Sequence, residues 1–361
     1  MSLHPNNVPY KVPMPNNMGV MRYLLVLSVF VTHYNILTGT EYGFFIEGYD
    51  AVGCFFSLSG FLVYGSYLRR RSHAGHYLSG YFKSRALRLL PAYVTTVLFF
   101  AIVLVAVSTL PAWQYFGSWH FWKYLGANLG FVNFVEPTLP GVFEGMRMDA
   151  VNGSLWTMKI EWMLYLAVPV LVWLSARLHN RATAVLTTVY LLSATWVVIF
   201  FHLYENSGRG IYEILGRQVF GQLCYFCSGV LIYYWFDELM RRRWLMLAVA
   251  VLCYYSVSFL DFGLGLLFRP IGLTYIVIML SMTGRWGTWE GKRDNVSYNI
   301  YLVHWPMTQV AVVLGLPEAL GDGLSFAVVL FATVVLSVLI AVLVEHPMRR
   351  YYGSRINGKR A

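Results

Sequence analysis

The chain has 361 residues, 58% of them hydrophobic and only 12% charged, against about a quarter charged in soluble domains. That balance excludes a water-soluble globular enzyme and predicts a polytopic membrane protein. The net charge of +10 is read as membrane topology and attraction to anionic lipid headgroups, which argues against a nucleic-acid partner.

The first eighteen residues are polar, with prolines and asparagines around Lys11 and no short apolar stretch closing on a small-residue cleavage site. The first helix is therefore expected to be an uncleaved anchor. Apolar runs of about 20 residues place spans near 19–37, 51–68, 90–110, 158–175, 183–203, 219–236, 244–260, 264–283, 296–315 and 323–344. The expected fold is all-α, a bundle of about ten transmembrane helices. It forms a single integral membrane domain over 1–361, with a polar tail at 1–18 and a basic tail at 346–361. Arg69 to Arg71, Lys83, Arg85, Arg88, Arg177, Arg181, Arg241 to Arg243, Arg285, Lys292, Arg293 and the residues 349–360 all fall on one side of such a bundle. Glu41, Glu47, Asp50, Glu136, Glu144, Asp149, Glu205, Glu213, Asp261, Glu318 and Asp322 fall on the other. This asymmetry predicts cytoplasmic termini.

In the first span, Arg22 and His33 are eleven residues apart, roughly 16 Å along a helix. One can stay near the inner face while the other reaches the membrane interior, where an ionisable group suggests a functional site. Arg22 also fits a topology charge, and His33 a satisfied buried histidine. The second span carries Phe55-Phe-Ser-Leu-Ser59-Gly60-Phe61; small residues here suit close helix packing, with Ser59 as a nucleophile the competing reading. The loop before the third span reads Tyr81-Phe-Lys-Ser-Arg85-Ala-Leu-Arg88-Leu-Leu-Pro91. Arg85 and Arg88 share a helix face and can grip phosphate oxygens, against the plain alternative of a basic inner loop. The long segment 111–156 is rich in aromatics that suit an interfacial belt, or a groove that stacks sugar rings.

The fourth span opens Asn152-Gly-Ser154-Leu-Trp156-Thr-Met-Lys-Ile-Glu161-Trp-Met-Leu-Tyr165. Glu161 and Tyr165 share a face, and a glutamate inside a bilayer needs a partner, for which His33 is the candidate. Asn152 and Asn295 each begin a glycosylation sequon, a pattern too common to carry weight. Cys54, Cys224, Cys227 and Cys253 lie in apolar spans and read as packing residues; no second pair or histidine cluster accompanies the CxxC, and no metal is expected. The ninth span reads Ser297-Tyr298-Asn-Ile-Tyr301-Leu-Val-His304-Trp305-Pro306, and the tenth ends Glu345-His346-Pro347. For His304 and Glu345 structural pairing stands beside a role in chemistry.

Taken together these strings resemble the acyltransferase 3 family of integral membrane acyltransferases, from the first helix to the last. The family's arginine-then-histidine signature falls on Arg22 and His33, its FF..SGF string on 55–61, and its R..R..P string on Arg85, Arg88 and Pro91. Its SLW…E…Y string falls on Ser154 to Trp156, Glu161 and Tyr165, its SY.IYL.H.P string on 297–306, and its terminal E.P on Glu345 and Pro347. Two positions depart: Gly53 stands where many members carry an aspartate, so that any such role is absent or moved to Asp50, and Lys159 replaces a small or apolar residue.

The resemblance implies transfer of an acyl group, usually acetyl, from acyl-coenzyme A to a hydroxyl of a bacterial surface or secreted glycan, such as lipopolysaccharide or exopolysaccharide. It also implies location in the bacterial inner membrane. Arg22, Arg85 and Arg88 would hold the anionic end of acetyl-coenzyme A, the donor substrate. His33 would be the general base, with Glu161 or Tyr301 orienting it or the acceptor. An acyl-enzyme on Ser59 or His33 is the competing mechanism. A membrane transporter or flippase of a lipid-linked or small polar substrate is the alternative function, and it gives no reason for coenzyme A binding.

Overall fold

The computed structural model describes residues 16–71, 77–178, 181–283 and 296–357. The described residues are helical, with no strand among them. Ten helices correspond to the ten expected spans: α1 (Met18–Thr38), α2 (Gly48–Arg71), α3 (Tyr77–Val103), α4 (Trp156–Arg177), α5 (Ala182–Ser207), α6 (Val219–Tyr234), α7 (Arg243–Tyr254), α8 (Arg269–Met282), α9 (Val296–Val313) and α10 (Asp322–Ile340). A π-helical turn, Ala341–Glu345, joins α10 to α11 (His346–Asn357). The terminal residues 1–15, Arg285, Lys292, Arg293, Asn295 and Arg360 lie outside the described residues.

Among the described residues six helical stretches are long and apolar enough to cross a membrane: Met18–Thr38, Gly48–Arg71, Tyr77–Val107, Gly153–Arg177, Ala182–Ser207 and Asp322–Tyr352. The expectation of ten such spans is reduced for a physical reason. Helices α6, α7 and α8 have 16, 12 and 14 residues, short of the roughly 20 that cross a bilayer. The run at 244–260 breaks at Tyr255, where α7 gives way to a four-residue helical turn, Ser256–Phe259. Helix α9 has 18 residues, and its buried face carries Asn299, His304, Thr308 and Gln309.

The chain folds as two compact units, drawn from Met1–Arg22, Tyr49–Phe82 and Ile160–Glu290 for the first and from Tyr23–Gly48, Lys83–Lys159 and Gly291–Ala361 for the second. In the first unit the small residues of the Phe55–Phe61 string let α2 meet α6 backbone to backbone. A Cβ on Gly60 would lie 2.1 Å from the Phe226 carbonyl oxygen, and one on Gly229 2.0 Å from that of Ser57. This is the packing expected of small residues in membrane helices. The same unit buries an ion pair that crosses from α2 to α8: Arg269 donates to Asp50 from Nε at 3.1 Å and from Nη2 at 2.5 Å. Tyr225 of α6 donates to the other Asp50 oxygen at 2.9 Å. Asp50 thus belongs to the first turn of α2 and is buried, not part of an acidic outer loop. All four cysteines are free thiols, three of them buried.

In the second unit α9 and α10 pack along their length, and Phe30 and Tyr34 of α1 join Ala311 and Val329 in a buried cluster. Tyr34 donates to the Asp322 carbonyl at 3.1 Å, tying the end of α1 to the start of α10. At the opposite end of α10, Lys83 of α3 sits 5.5 Å from the ring of Tyr352 on α11. The segment between α3 and α4 folds into short helices, Ala112–Gly117 and Trp119–Leu129, and a strap over 136–155. Tyr124 and Phe121 face inward while Trp119 and Trp122 are exposed, as an interfacial amphipathic helix requires.

Candidate active site

His33 and His304 meet inside the second unit. Their rings lie nearly parallel, with centroids 5.0 Å apart, and Nδ1 of His33 is 2.7 Å from Nε2 of His304. His304 is fully buried; its Nδ1 faces two main-chain carbonyls of its own helix, Tyr301 at 2.8 Å and Ile300 at 3.2 Å. A carbonyl can only accept, so in the neutral ring the proton of His304 sits on Nδ1. Its Nε2 is then an acceptor, and the proton of His33 must sit on its own Nδ1. The lone pair of His33 falls on Nε2, which meets no hydrogen-bond partner among the described residues. Two carbonyls thus fix, through two rings, which nitrogen can take a proton.

The surround holds this geometry. Phe30 packs on His304 at 5.4 Å, and Trp305 presents its edge to His33 at 4.8 Å. Trp305 is fixed by donating to the Ala150 carbonyl at 3.1 Å. The strap is bound to α9 at several further points: Asn152 donates to the Leu302 carbonyl at 2.7 Å, and Gln309 to the Met148 carbonyl at 2.6 Å. A Cβ on Gly153 would lie 2.5 Å from the Trp305 ring, so only glycine lets the strap lie this close. Asn152, the first residue of a sequon, is spent on these contacts and buried.

The chain matches the family model described as an acyltransferase domain over residues 16–345. It belongs to the acyltransferase 3 family. Among curated proteins it is 29% identical over 196 residues to nodulation protein 10 of Rhizobium leguminosarum bv. viciae, covering 51% of this chain and 50% of that protein. It is 28% identical over 194 residues to the O-acetyl transferase of Shigella phage Sf6, covering 48% of this chain and 50% of that protein. This acyltransferase 3 chain therefore spans about half the length of the curated relatives it matches. No solved structure matches it.

The residues singled out from sequence divide between the two units. His33, Arg85, Arg88, Tyr301, His304 and Glu345 lie in the second, and Arg22, Ser59, Glu161 and Tyr165 in the first. The group on Nδ1 of His33 is an imidazole, not the carboxylate expected from Glu161. Glu161 accepts a hydrogen bond from Tyr165, one turn along its own helix. Tyr301 contributes to the pair through its carbonyl; its hydroxyl is 2.9 Å from Thr157 Oγ1 and donates to the Ser154 carbonyl at 3.0 Å. Ser59 is half-buried and makes no hydrogen bond among the described residues.

Arg85 and Arg88 share one face of α3, both half-buried. The residue after Arg88, Leu89, accepts from Tyr298 of α9 at 3.3 Å. Tyr298 and His304 are six residues apart on α9, about 9 Å of helix, so the helix that carries the histidine also touches the turn that carries the arginines. Glu345, buried in the π turn, pairs with Arg349 at 2.7 Å. Gly53 explains the departure from the family pattern at that position: a Cβ there would lie 2.6 Å from the Tyr225 ring, whose hydroxyl binds Asp50. Lys159 packs 4.7 Å from the ring of Phe134.

Proposed function

We propose that this protein is a membrane O-acyltransferase that moves an acyl group, acetyl in its simplest form, from acyl-coenzyme A to a hydroxyl of a bacterial surface or secreted glycan. The observation that carries this reading is the pair of histidines whose hydrogen bonds leave Nε2 of His33 as a proton acceptor. The acceptor oxygen attacks the thioester carbonyl and gives its proton to Nε2. Collapse of the tetrahedral intermediate breaks the carbon–sulfur bond, and the leaving thiolate takes that proton, returning His33 to its starting state. A general base of this kind contributes about 10²–10⁴-fold.

His304 is a positioning residue: its Nε2 accepts from the imidazolium of His33 while charge is present, a hydrogen bond that strengthens as His33 becomes charged. Arg85 and Arg88 suit the phosphates of the donor, since the guanidinium fork grips phosphate oxygens with two hydrogen bonds. The pantetheine arm would then cover the distance to the histidines. The relative named O-acetyl transferase supports a hydroxyl acceptor and an acetyl donor.

Binding and hydrolysis of radiolabelled acetyl-coenzyme A by purified protein in detergent test the reading. Saturable binding weakened by Arg85→Ala, with slow turnover abolished by His33→Ala, is the expected result. Folded protein that binds no acyl-coenzyme A overturns it and leaves a transporter as the better account.

A further inference from the structure

The three short helices of the first unit frame a second feature, lined by none of the residues assigned to the transfer reaction. Helices α6, α7 and α8, with 16, 12 and 14 residues, are about 24, 18 and 21 Å long, against a hydrocarbon core of about 30 Å. Between them opens an apolar groove of about 280 Å³, with Trp235, Leu239, Met246, Val249, Cys253 and Tyr275 among its walls. Its floor closes at Gly272, where a Cβ would lie 2.5 Å from the Ala250 carbonyl oxygen and 2.7 Å from Cβ of Cys253. Val249 and Trp235 of the walls are 45% and 40% exposed, so the groove opens outward.

One end of the groove is polar and positively charged. Tyr275 closes it by hydrogen bonding to the Leu239 and Arg243 carbonyls, each at 3.3 Å. Of the arginine triplet there, Arg241 and Arg242 are taken by Glu238 at 2.6 and 3.6 Å. Arg243 is exposed, lies 5.6 Å from the ring of Trp244, and meets no carboxylate among the described residues. An apolar trough about 10 Å long from Met246 to Cys253, ending at an arginine with no counter-charge among the described residues, matches an acyl chain joined to an anionic head. Lipid held here would fill out the thinnest part of the unit, where helices too short for the bilayer otherwise leave a mismatch.

We propose that this groove seats an anionic phospholipid, one acyl chain lying along α7 from Met246 to Cys253 and its phosphate held by Arg243. Cys253 reports on occupancy, because it lines the groove and is partly exposed while Cys54, Cys224 and Cys227 are buried. The protein is reconstituted in vesicles of phosphatidylcholine alone or with a quarter phosphatidylglycerol, and alkylation of Cys253 by N-ethylmaleimide is followed by mass spectrometry. Labelling about two- to threefold slower with phosphatidylglycerol is expected, because the roughly fivefold preference that one arginine gives an anionic lipid fills somewhat more than half of the grooves from a quarter anionic lipid. In Arg243→Gln that difference should disappear. Equal rates in the two vesicles with wild-type protein overturn the proposal without reference to any variant. A protective effect that survives in Arg243→Gln overturns the assignment of the headgroup to Arg243.

Discussion

The two units each bury one polar pair between helices, and the pairs are built to opposite ends. Asp50 and Arg269 saturate one another: both carboxylate oxygens accept, from Arg269 and from Tyr225, and the guanidinium also lies 5.0 Å from the ring of Tyr254. Each oxygen of that carboxylate already has a donor from the protein. His33 and His304 form a chain with one end closed by main-chain carbonyls and the other open at Nε2 of His33. A saturated pair fixes helices in place, whereas a chain with one open end can move a proton. Burial of ionisable groups in a membrane protein therefore does not by itself mark chemistry; a polar atom left with no protein partner is the stronger sign.

The largest effects separate the members of these pairs. His33→Gln should lower acyl transfer about 10²–10⁴-fold with donor binding retained, and His304→Ala about 10–100-fold, as for other residues that orient a reacting imidazole. Steady-state kcat with donor Kd measured beside it checks both. Equal turnover in wild type and His304→Ala would make the second histidine mere packing. Asp50→Ala leaves Arg269 without its carboxylate, a change of about 3–5 kcal/mol in stability when a buried pair is broken. The expected signature is a lower thermal midpoint in detergent with turnover per folded molecule preserved. Loss of turnover in protein that remains folded would give Asp50 a part in the chemistry and erase the contrast.

Gly153→Ala should act between these limits. The new methyl drives Trp305 toward His33, an overpacking of about 1–3 kcal/mol, so kcat falls more than donor affinity. Unchanged kinetics would show that the strap yields without disturbing the pair. The smallest effect is expected in the outer segment, where hydrogen bonding from Lys123 holds the Glu136 carboxyl below the usual carboxylate range. A depressed carboxyl contributes stability above its unfolded value, about pH 4.3, and loses it as pH falls through the folded value. Glu136→Gln should therefore destabilise slightly at neutral pH, by a margin that vanishes under acid, read as thermal midpoints across a pH series.

The sequence was most informative where residues carry their own spacing. Arg85 and Arg88 and the string at 297–306 are recognisable because helix geometry fixes neighbours three and four apart, Arg22 and His33 because eleven residues set them roughly 16 Å apart along one helix, and Gly60 in the second helix reads as packing. Contacts between distant segments were not legible. His304 stands 271 residues from His33, and nothing local distinguishes an imidazole partner from a carboxylate, so Glu161 was the natural but different expectation. Arg269 was not singled out, although an arginine inside an apolar run needs a counter-charge, which Asp50 supplies. Arg349 looked like a tail charge; its pairing with Glu345 depends on the π turn, which the sequence does not announce. The ten apolar runs gave ten helices, yet only six stretches among the described residues are long and apolar enough to cross, because hydropathy does not register the breaks that shorten α6, α7 and α8 or the polar buried face of α9.

The proposed proton transfer turns on which nitrogen of His33 carries the proton, and nitrogen chemical shifts of histidine-labelled protein in lipid bilayers measure that directly. The chain has nine histidines, so His33→Gln and His304→Gln serve to assign the two signals. The expected result is that both rings are neutral with the proton on Nδ1, and that His33 loses this bias when His304 is replaced. A His33 ring protonated on Nε2 in the wild-type protein would contradict the account, because no base would then face the acceptor.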